Sequence, residues 1–176
     1  MARMIFINLP VADLPASMAF YKALGFKNNP QFTDETAACM VCSETINVML
    51  LTHAKWRTFT TRPIAPGGSN EVMLALSCAD RAEVDAMNDA AGAHGGQSDV
   101  NPMQDLGFMY NRNLADPDGH IWEAVWMDPS AIPHGDWHRD QAVCNRAAGC
   151  AARPGISSAI AVAPRPTASE PMYSQA

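Results

Sequence analysis

An internal repeat constrains the fold of this chain more than any other feature of its sequence. Residues 6–13 (FINLPVAD) align with residues 73–80 (MLALSCAD), and each copy is an apolar segment of strand length that ends in aspartate. A helical pattern and then a glycine follow both copies, which indicates two similar units within one chain. Because units of about 50 residues bury little surface alone, we expect the two to share one core.

The segment after each copy predicts a helix. Asp13 is the expected N-cap of the first helix, and Gly25 is a suitable residue to end it. Asp80 is the expected N-cap of the second helix, and Glu83 stands three residues later, at the position of a capping box. The two helices therefore have matching start signals.

Six segments, among them the two repeat copies, have the length and residue types of strands. Placed around the two helices, they predict an α+β fold of two βαβββ modules, residues 4–52 and 71–127, which are joined by a linker at 53–70 and form one domain at 1–132. The strands are expected at 4–11, 37–42, 46–52, 71–78, 107–114 and 120–127.

The composition changes after residue 132. Residues 133–176 are rich in Ala, Pro, Arg and Ser and show no hydrophobic periodicity. This pattern predicts a disordered C-terminal tail. The tail contains His134 and His138 followed by Cys144 and Cys150, but their spacing is not that of a standard zinc finger.

Composition also argues against several classes of partner and location. The formal net charge is −6, and no basic stripe is present to attract nucleic acid or an anionic membrane surface. No apolar run has transmembrane length and the first residues do not resemble a secretory signal, so we expect a cytoplasmic protein. Its five cysteines are expected to be reduced thiols, with Cys39 and Cys42 as small core residues rather than a redox pair.

The sequence Asp116-Pro-Asp-Gly-His-Ile-Trp-Glu123 combines a turn with the start of an apolar strand. Glu123 is the only charged residue between Ile121 and Met127. A carboxylate inside an apolar strand is costly unless a partner, a ligand or a reaction involves it. Glu123 is therefore the first candidate for a functional residue, and His120, three positions earlier on a strand, is not expected to chelate a metal with it.

Residues 8–26 and 116–123 resemble the opening strand and helix and the closing turn and strand of the glyoxalase/bleomycin-resistance/extradiol-dioxygenase superfamily, also called vicinal oxygen chelate proteins. The resemblance covers residues 4–130. It implies paired βαβββ modules whose curved sheets enclose a cleft, a small-molecule ligand in that cleft, and a homodimer. It is more specific for the fold than for the reaction.

The resemblance also implies where a metal site would lie, because metal enzymes of this superfamily carry ligands at four strand positions. These positions fall on Phe6, Leu50, Met73 and Glu123. Three of the four are apolar, and such side chains are poor ligands for a divalent ion. We therefore expect no metal and no other cofactor, and the chemistries of lactoylglutathione lyase and extradiol dioxygenase are disfavoured. A metal site using Glu71 with Glu123 is a remote alternative.

Two hypotheses of function follow from these residues. In the first, the protein is a metal-independent lyase- or isomerase-like enzyme in which Glu123 is the catalytic base. In the second, it is a non-catalytic protein that sequesters an aromatic or drug-like molecule, with apolar area from Phe6, Met73 and the tryptophans at 122 and 126. The substrate-binding residues are expected to be Phe6, Asn8, Leu50, Met73, Tyr110 and Arg112, of which Arg112 could pair with Glu123.

Overall fold

The computed structural model describes residues 3–66, 68–70 and 72–131, and within them the two repeats form two βαβββ modules, as predicted. The first module consists of β1 (Ile5–Val11), α1 (Leu14–Ala23), β2 (Lys27–Asn29), β3 (Ala37–Val41) and β4 (Ile46–Thr52). The second consists of β5 (Met73–Ser77), α3 (Arg81–Ala93), β6 (Gln104–Asp105), β7 (Met109–Ala115) and β8 (Ile121–Met127). The predicted tail at 133–176, with its histidines and cysteines, lies outside the described residues, as does Glu71.

Each module contributes one four-stranded mixed sheet. The strand orders are β1-β4-β3-β2 and β5-β8-β7-β6. In each sheet the first strand of the module runs parallel to the last, and the remaining neighbours are antiparallel. The fold is therefore α+β, with two sheets that do not close into a barrel.

The predicted helix caps are confirmed. The Asp13 carboxylate accepts a hydrogen bond from the Ala16 amide at 3.0 Å, and the Asp80 carboxylate accepts one from the Glu83 amide at 2.8 Å. The Glu83 carboxylate accepts from the amide of Ala79, one residue before the N-cap. These bonds satisfy amides that the first turn of a helix leaves unpaired.

The core lies between the sheets and the two long helices, α1 and α3. Alternate strand residues supply its side chains, because successive side chains on a strand point to opposite faces. The core side chains from the strands include Leu9, Val48, Leu50, Leu76, Leu114 and Trp122. Tyr21 and Phe26 pack edge-to-face against Trp122, with ring centroids 6.0 Å apart in both pairs.

Helix α2 (His53–Phe59) was not predicted and lies in the segment expected to be a linker. The hydroxyl of Thr52 caps it by accepting a hydrogen bond from the Lys55 amide at 3.3 Å. The helix packs against β4 and β1. Seven residues span only about two turns, which is too short for helical periodicity to stand out in the sequence.

Strands β2 and β6 were also missed. They have three and two residues, mostly polar, and each pairs with a longer strand at the edge of its sheet. A pattern of alternation needs at least four residues to be recognised. No helix in the described part of the chain is long and apolar enough to cross a membrane.

Candidate functional site

The two sheets expose a common set of side chains on the side away from α1 and α3, here called the cleft face. Its members alternate with the core residues on β1, β4, β5, β7 and β8. They include Phe6, Asn8, Asn47, Met49, Met73, Ala75, Asn111, Asn113 and Glu123. Four of the predicted site residues, Phe6, Asn8, Met73 and Glu123, therefore share one face.

Leu50 does not belong to the cleft face. It is fully buried and belongs to the core cluster that contains Leu9 and Val48. Its expected role as a substrate-binding residue is therefore wrong. Strand pairing shows that Met49 is the counterpart of Glu123, because Asn8 pairs with Met49 in the first sheet as Ala75 pairs with Glu123 in the second.

Two buried asparagines of β7 form the surroundings of Glu123. The Asn111 side-chain amide donates a 2.6 Å hydrogen bond to Glu123 Oε1, and Asn113 is the residue directly across from Glu123 in the strand register. Asn111 is 3% exposed and Asn113 is 4% exposed. Glu123 is thus a half-buried carboxylate held by a neutral amide rather than by a cation.

Counting through the β7–β8 hairpin finds these asparagines once the pairing across the closing turn is known. The closing turn pairs Ala115 with Ile121, so the residue numbers of every pair in this hairpin add up to 236. Glu123 therefore lies directly across from Asn113. Tyr110 and Arg112 have the opposite parity and therefore lie on the helix side of the sheet.

On that side, Tyr110 and Arg112 are engaged with acidic residues of the second module. The Tyr110 hydroxyl donates to Asp85 at 2.7 Å, and the Arg112 guanidinium donates to Asp85 at 3.0 Å and to Asp99 at 2.7 Å. Hydrogen bonding to Asp99 is the main cause that raises the pKa of Arg112. The expected pairing of Arg112 with Glu123 is therefore wrong. Tyr110 and Arg112 instead line a shallow groove of about 510 Å³ beside residues 99–103.

Trp122 and Trp126 also lie away from the cleft face. Trp122 is 2% exposed in the core, and Trp126 stacks against the Arg81 guanidinium at 5.2 Å. The expectation that either supplies area to a ligand in the cleft is therefore wrong.

A cavity of about 300 Å³ opens beside the cleft face, and we call it the linker cavity. Its walls come from β1, from α2 and the segment that follows it, from the start of β5, and from the closing turn with the start of β8. The lining residues include Asn8, Pro10, Trp56, Arg62, Leu74 and Ile121. Glu123 does not line this cavity, but it lies two residues from Ile121 on the same face, about 7 Å along the strand.

The closing turn, residues 116–120, fixes one wall of the cavity. Asp116 is 2% exposed, and its carboxylate accepts bonds from the amides of Asp118 and His120. Burial raises the pKa of Asp116. A ring nitrogen of His120 lies 2.9 Å from the Pro10 carbonyl oxygen, so the turn is tied directly to β1.

The cysteines of the described residues are free thiols. Cys39, Cys42 and Cys78 form no disulfide with one another. Burial, followed by the nearby Glu83 carboxylate, raises the pKa of Cys78 to about 11. A thiol with so high a pKa is almost wholly protonated at neutral pH.

Comparisons with known proteins agree with this architecture. The family model described as "bleomycin resistance protein-like N-terminal" matches residues 3–43. Among solved structures, a hypothetical protein from S. aureus is 27% identical, with a TM-score of 0.61 and coverage of 72% of this chain and 94% of that chain. A search of the curated proteins found no match.

Two further structures carry a descriptive name. A glyoxalase/bleomycin resistance protein/dioxygenase family enzyme from Burkholderia phytofirmans PsJN is 16% identical, with a TM-score of 0.62 and coverage of 72% of this chain and 99% of that chain. A glyoxalase-related enzyme from Fulvimarina pelagi is 23% identical, with a TM-score of 0.60 and coverage of 72% and 88%. The chain therefore has the fold of structures named for the glyoxalase/bleomycin resistance/dioxygenase family, and its residues 3–43 match the bleomycin-resistance-like family model.

The metal positions of this superfamily do not fit a metal ion in this chain. With Met49 in place of Leu50, the four positions are Phe6, Met49, Met73 and Glu123, which supply one carboxylate and no imidazole. Divalent ions held by proteins need three or more good donors. Within the described residues, no group of three or more His, Cys, Asp or Glu side chains could hold a metal ion.

Proposed function

We propose that this protein binds a small organic molecule in the linker cavity, next to the cleft face. The observation that carries the proposal is the cavity itself, whose walls combine apolar side chains with polar and charged groups. Its volume of about 300 Å³ lies at the small end of the usual range for ligand sites. The fold shared with glyoxalase/bleomycin resistance/dioxygenase structures supports the same class of function.

Blocking the cavity tests this proposal. Ile121→Trp places a bulky ring at the cavity wall, whereas Met127→Trp makes the same kind of change at the far end of the same face of β8, where Met127 is exposed. We would screen a mixed set of aromatic, aliphatic and sugar-like compounds by NMR, with the indole N–H signal of Trp56 as the local reporter. Compounds that shift this signal should do so in wild type and Met127→Trp but not in Ile121→Trp.

The proposal fails if no compound of the set perturbs the Trp56 signal. It also fails if compounds perturb it equally in both tryptophan variants, because binding would then lie elsewhere. Far-UV circular dichroism of both variants distinguishes loss of a site from loss of fold.

A specific contact favours a second candidate function, that of a metal-independent lyase- or isomerase-like enzyme. The 2.6 Å bond from Asn111 fixes one oxygen of Glu123, and the carboxylate stays half-buried on the cleft face. A carboxylate held in this way is suited to take a proton from a carbon acid bound next to Ile121.

Deuterium exchange separates the enzyme from the binding protein. For any compound that passes the cavity test and carries an acidic C–H bond, an enzyme should catalyse exchange of that hydrogen in D₂O. Glu123→Gln should abolish the exchange while leaving the dissociation constant within a few-fold of the wild-type value. Exchange that persists in Glu123→Gln would rule out Glu123 as the base.

A further inference from the structure

We propose that the linker cavity takes an aromatic monocarboxylate, whose carboxylate is bound by Arg62 and by the indole N–H of Trp56. This inference rests on the proposed function and adds the chemical class of the ligand. It follows from three properties of the cavity wall, namely a buried donor, a cation and an apolar surface.

The buried donor is Nε1 of Trp56. Helix α2 places this side chain in the cavity wall, and the nitrogen is buried without a hydrogen-bond acceptor among the residues that the structure describes. An indole N–H can only donate. Because a buried N–H without a partner costs free energy, a ligand whose oxygen reaches Nε1 from the cavity would remove that cost.

The cation is Arg62, which follows α2 and lines the same cavity. The salt bridges of the described residues involve Arg81 and Arg112, and Arg62 takes part in none of them. A guanidinium group matches the geometry of a carboxylate with two parallel hydrogen bonds.

Asp118 also lines the cavity but forms no salt bridge with this cation. It is the one acidic residue among the described residues that line the cavity. One of its oxygens accepts from the Ala12 amide at 2.8 Å and the other from the Ser17 hydroxyl at 3.2 Å. Both oxygens of Asp118 are therefore held by donors at the junction between α1 and the closing turn, and the Arg62 guanidinium is left to pair with an anion from a ligand.

The apolar part of the wall favours a flat apolar body. Pro10, Ile64, Leu74 and Ile121 present ring or aliphatic surface without charge. An apolar cavity of about 150 Å³ is enough to hold one benzene ring. A volume of about 300 Å³ therefore accommodates up to two fused rings with a carboxylate at the end.

The test compares two compounds of the same shape, 2-naphthoate and 2-naphthamide, by isothermal titration calorimetry on the full chain. Both carry an acceptor oxygen, but only naphthoate carries a charge. We expect wild-type protein to bind naphthoate at least about tenfold more tightly than naphthamide, since a charged hydrogen bond is stronger than a neutral one.

Two substitutions assign the contacts, and each has a matched control. Arg62→Gln should weaken naphthoate binding by about tenfold and leave naphthamide binding within about twofold, because only the charge partner is lost. Its control is Arg57→Gln, on the exposed side of α2 and outside the cavity wall. Trp56→Phe should weaken both compounds by a similar factor, because both lose an N–H donor, and its control is Trp126→Phe on the opposite face.

The outcomes separate the ligand class from the site. Equal affinity for the two compounds, or a naphthoate affinity that Arg62→Gln does not change, overturns the carboxylate assignment and leaves the cavity as a neutral-ligand site. If neither compound binds but other compounds shift the Trp56 signal, the aromatic class is wrong and the proposed function stands. If nothing binds, both fail.

Discussion

The hydroxyl of Tyr21 donates a 2.8 Å hydrogen bond to the buried carboxylate of Asp116 and accepts one from the Trp122 indole at 3.1 Å. This chain of bonds joins α1 of the first module to the closing turn and last strand of the second. All three residues are at most 2% exposed. The hydroxyl, the carboxylate and the indole N–H are buried away from water, and these bonds supply the partners that water would otherwise provide. The bonds therefore help to fix the packing of the two modules against each other.

Removing the Asp116 carboxylate should destabilise this junction. Asp116→Ala leaves the Tyr21 hydroxyl and the amides of Asp118 and His120 without their acceptor, and each unpaired buried donor costs about 1–3 kcal/mol. We expect the free energy of unfolding to fall by about 3 kcal/mol, measured by urea denaturation. Tyr21→Phe, which removes a single hydroxyl, should cost about 1 kcal/mol, and an equal effect of both variants would contradict the network.

Asp116 should also make stability depend on pH in an unusual direction. Burial raises its pKa in the folded state above the unfolded value, so the folded protein holds the proton more tightly. Its contribution to stability is therefore largest below the unfolded value of 3.8 and is lost as the pH rises through the folded pKa. As the pH falls from 7 to 4.5, the free energy of unfolding of wild type should increase relative to that of Asp116→Asn. A relative decrease would contradict the raised pKa.

Arg112 should act in stability rather than in ligand binding. Its hydrogen bonds are the main cause that lowers the pKa of Asp99, which contributes stability above the unfolded value of 3.8 and loses it as the pH falls through the folded pKa. Arg112→Gln should raise the pKa of Asp99 toward its ordinary value, as followed by NMR titration, and leave naphthoate affinity within about twofold. A large loss of naphthoate affinity in Arg112→Gln would instead show that Arg112 contributes to ligand binding.

The donor set predicts that purified protein contains no stoichiometric divalent metal. Phe6, Met49 and Met73 offer no oxygen or nitrogen donor beside Glu123. Elemental analysis by mass spectrometry should therefore find far less than one zinc, iron, nickel or manganese ion per chain. If wild type contained one metal ion per chain and Glu123→Gln contained none, Glu123 would bind a metal together with donors other than Phe6, Met49 and Met73.

A homodimer remains a prediction, and the exposed apolar surface at the start of β1 and β5 offers a place for it. Ile5, Phe6, Val72 and Met73 are all more than half exposed, at 54%, 53%, 58% and 51%. Neighbouring apolar side chains left in water commonly mark an interface. Sedimentation velocity should give a dimer for wild type and a larger monomer fraction for Phe6→Ser, and a wild-type monomer at all concentrations would contradict the prediction.

The internal repeat and its capping aspartates made the two modules predictable, because strand and helix signals are local properties of the sequence. Strand alternation also puts Asn8 and Glu123 on the side of their strands opposite the core residues Leu9 and Trp122. The face of Tyr110 and Arg112 could not be found in this way, because choosing between residues 110 and 111 requires the register of the β7–β8 hairpin. A shift of one residue moves every side chain to the opposite face.

The sequence by itself determined the α+β architecture, the paired modules and the presence of one carboxylate in an apolar strand. Only the tertiary structure decided which residues surround that carboxylate and that α2 with its following segment forms a cavity with Trp56 and Arg62. The reason is physical. Apolar periodicity records which face of an element is buried, whereas a cavity arises from segments distant in sequence, and no local pattern encodes how those segments meet.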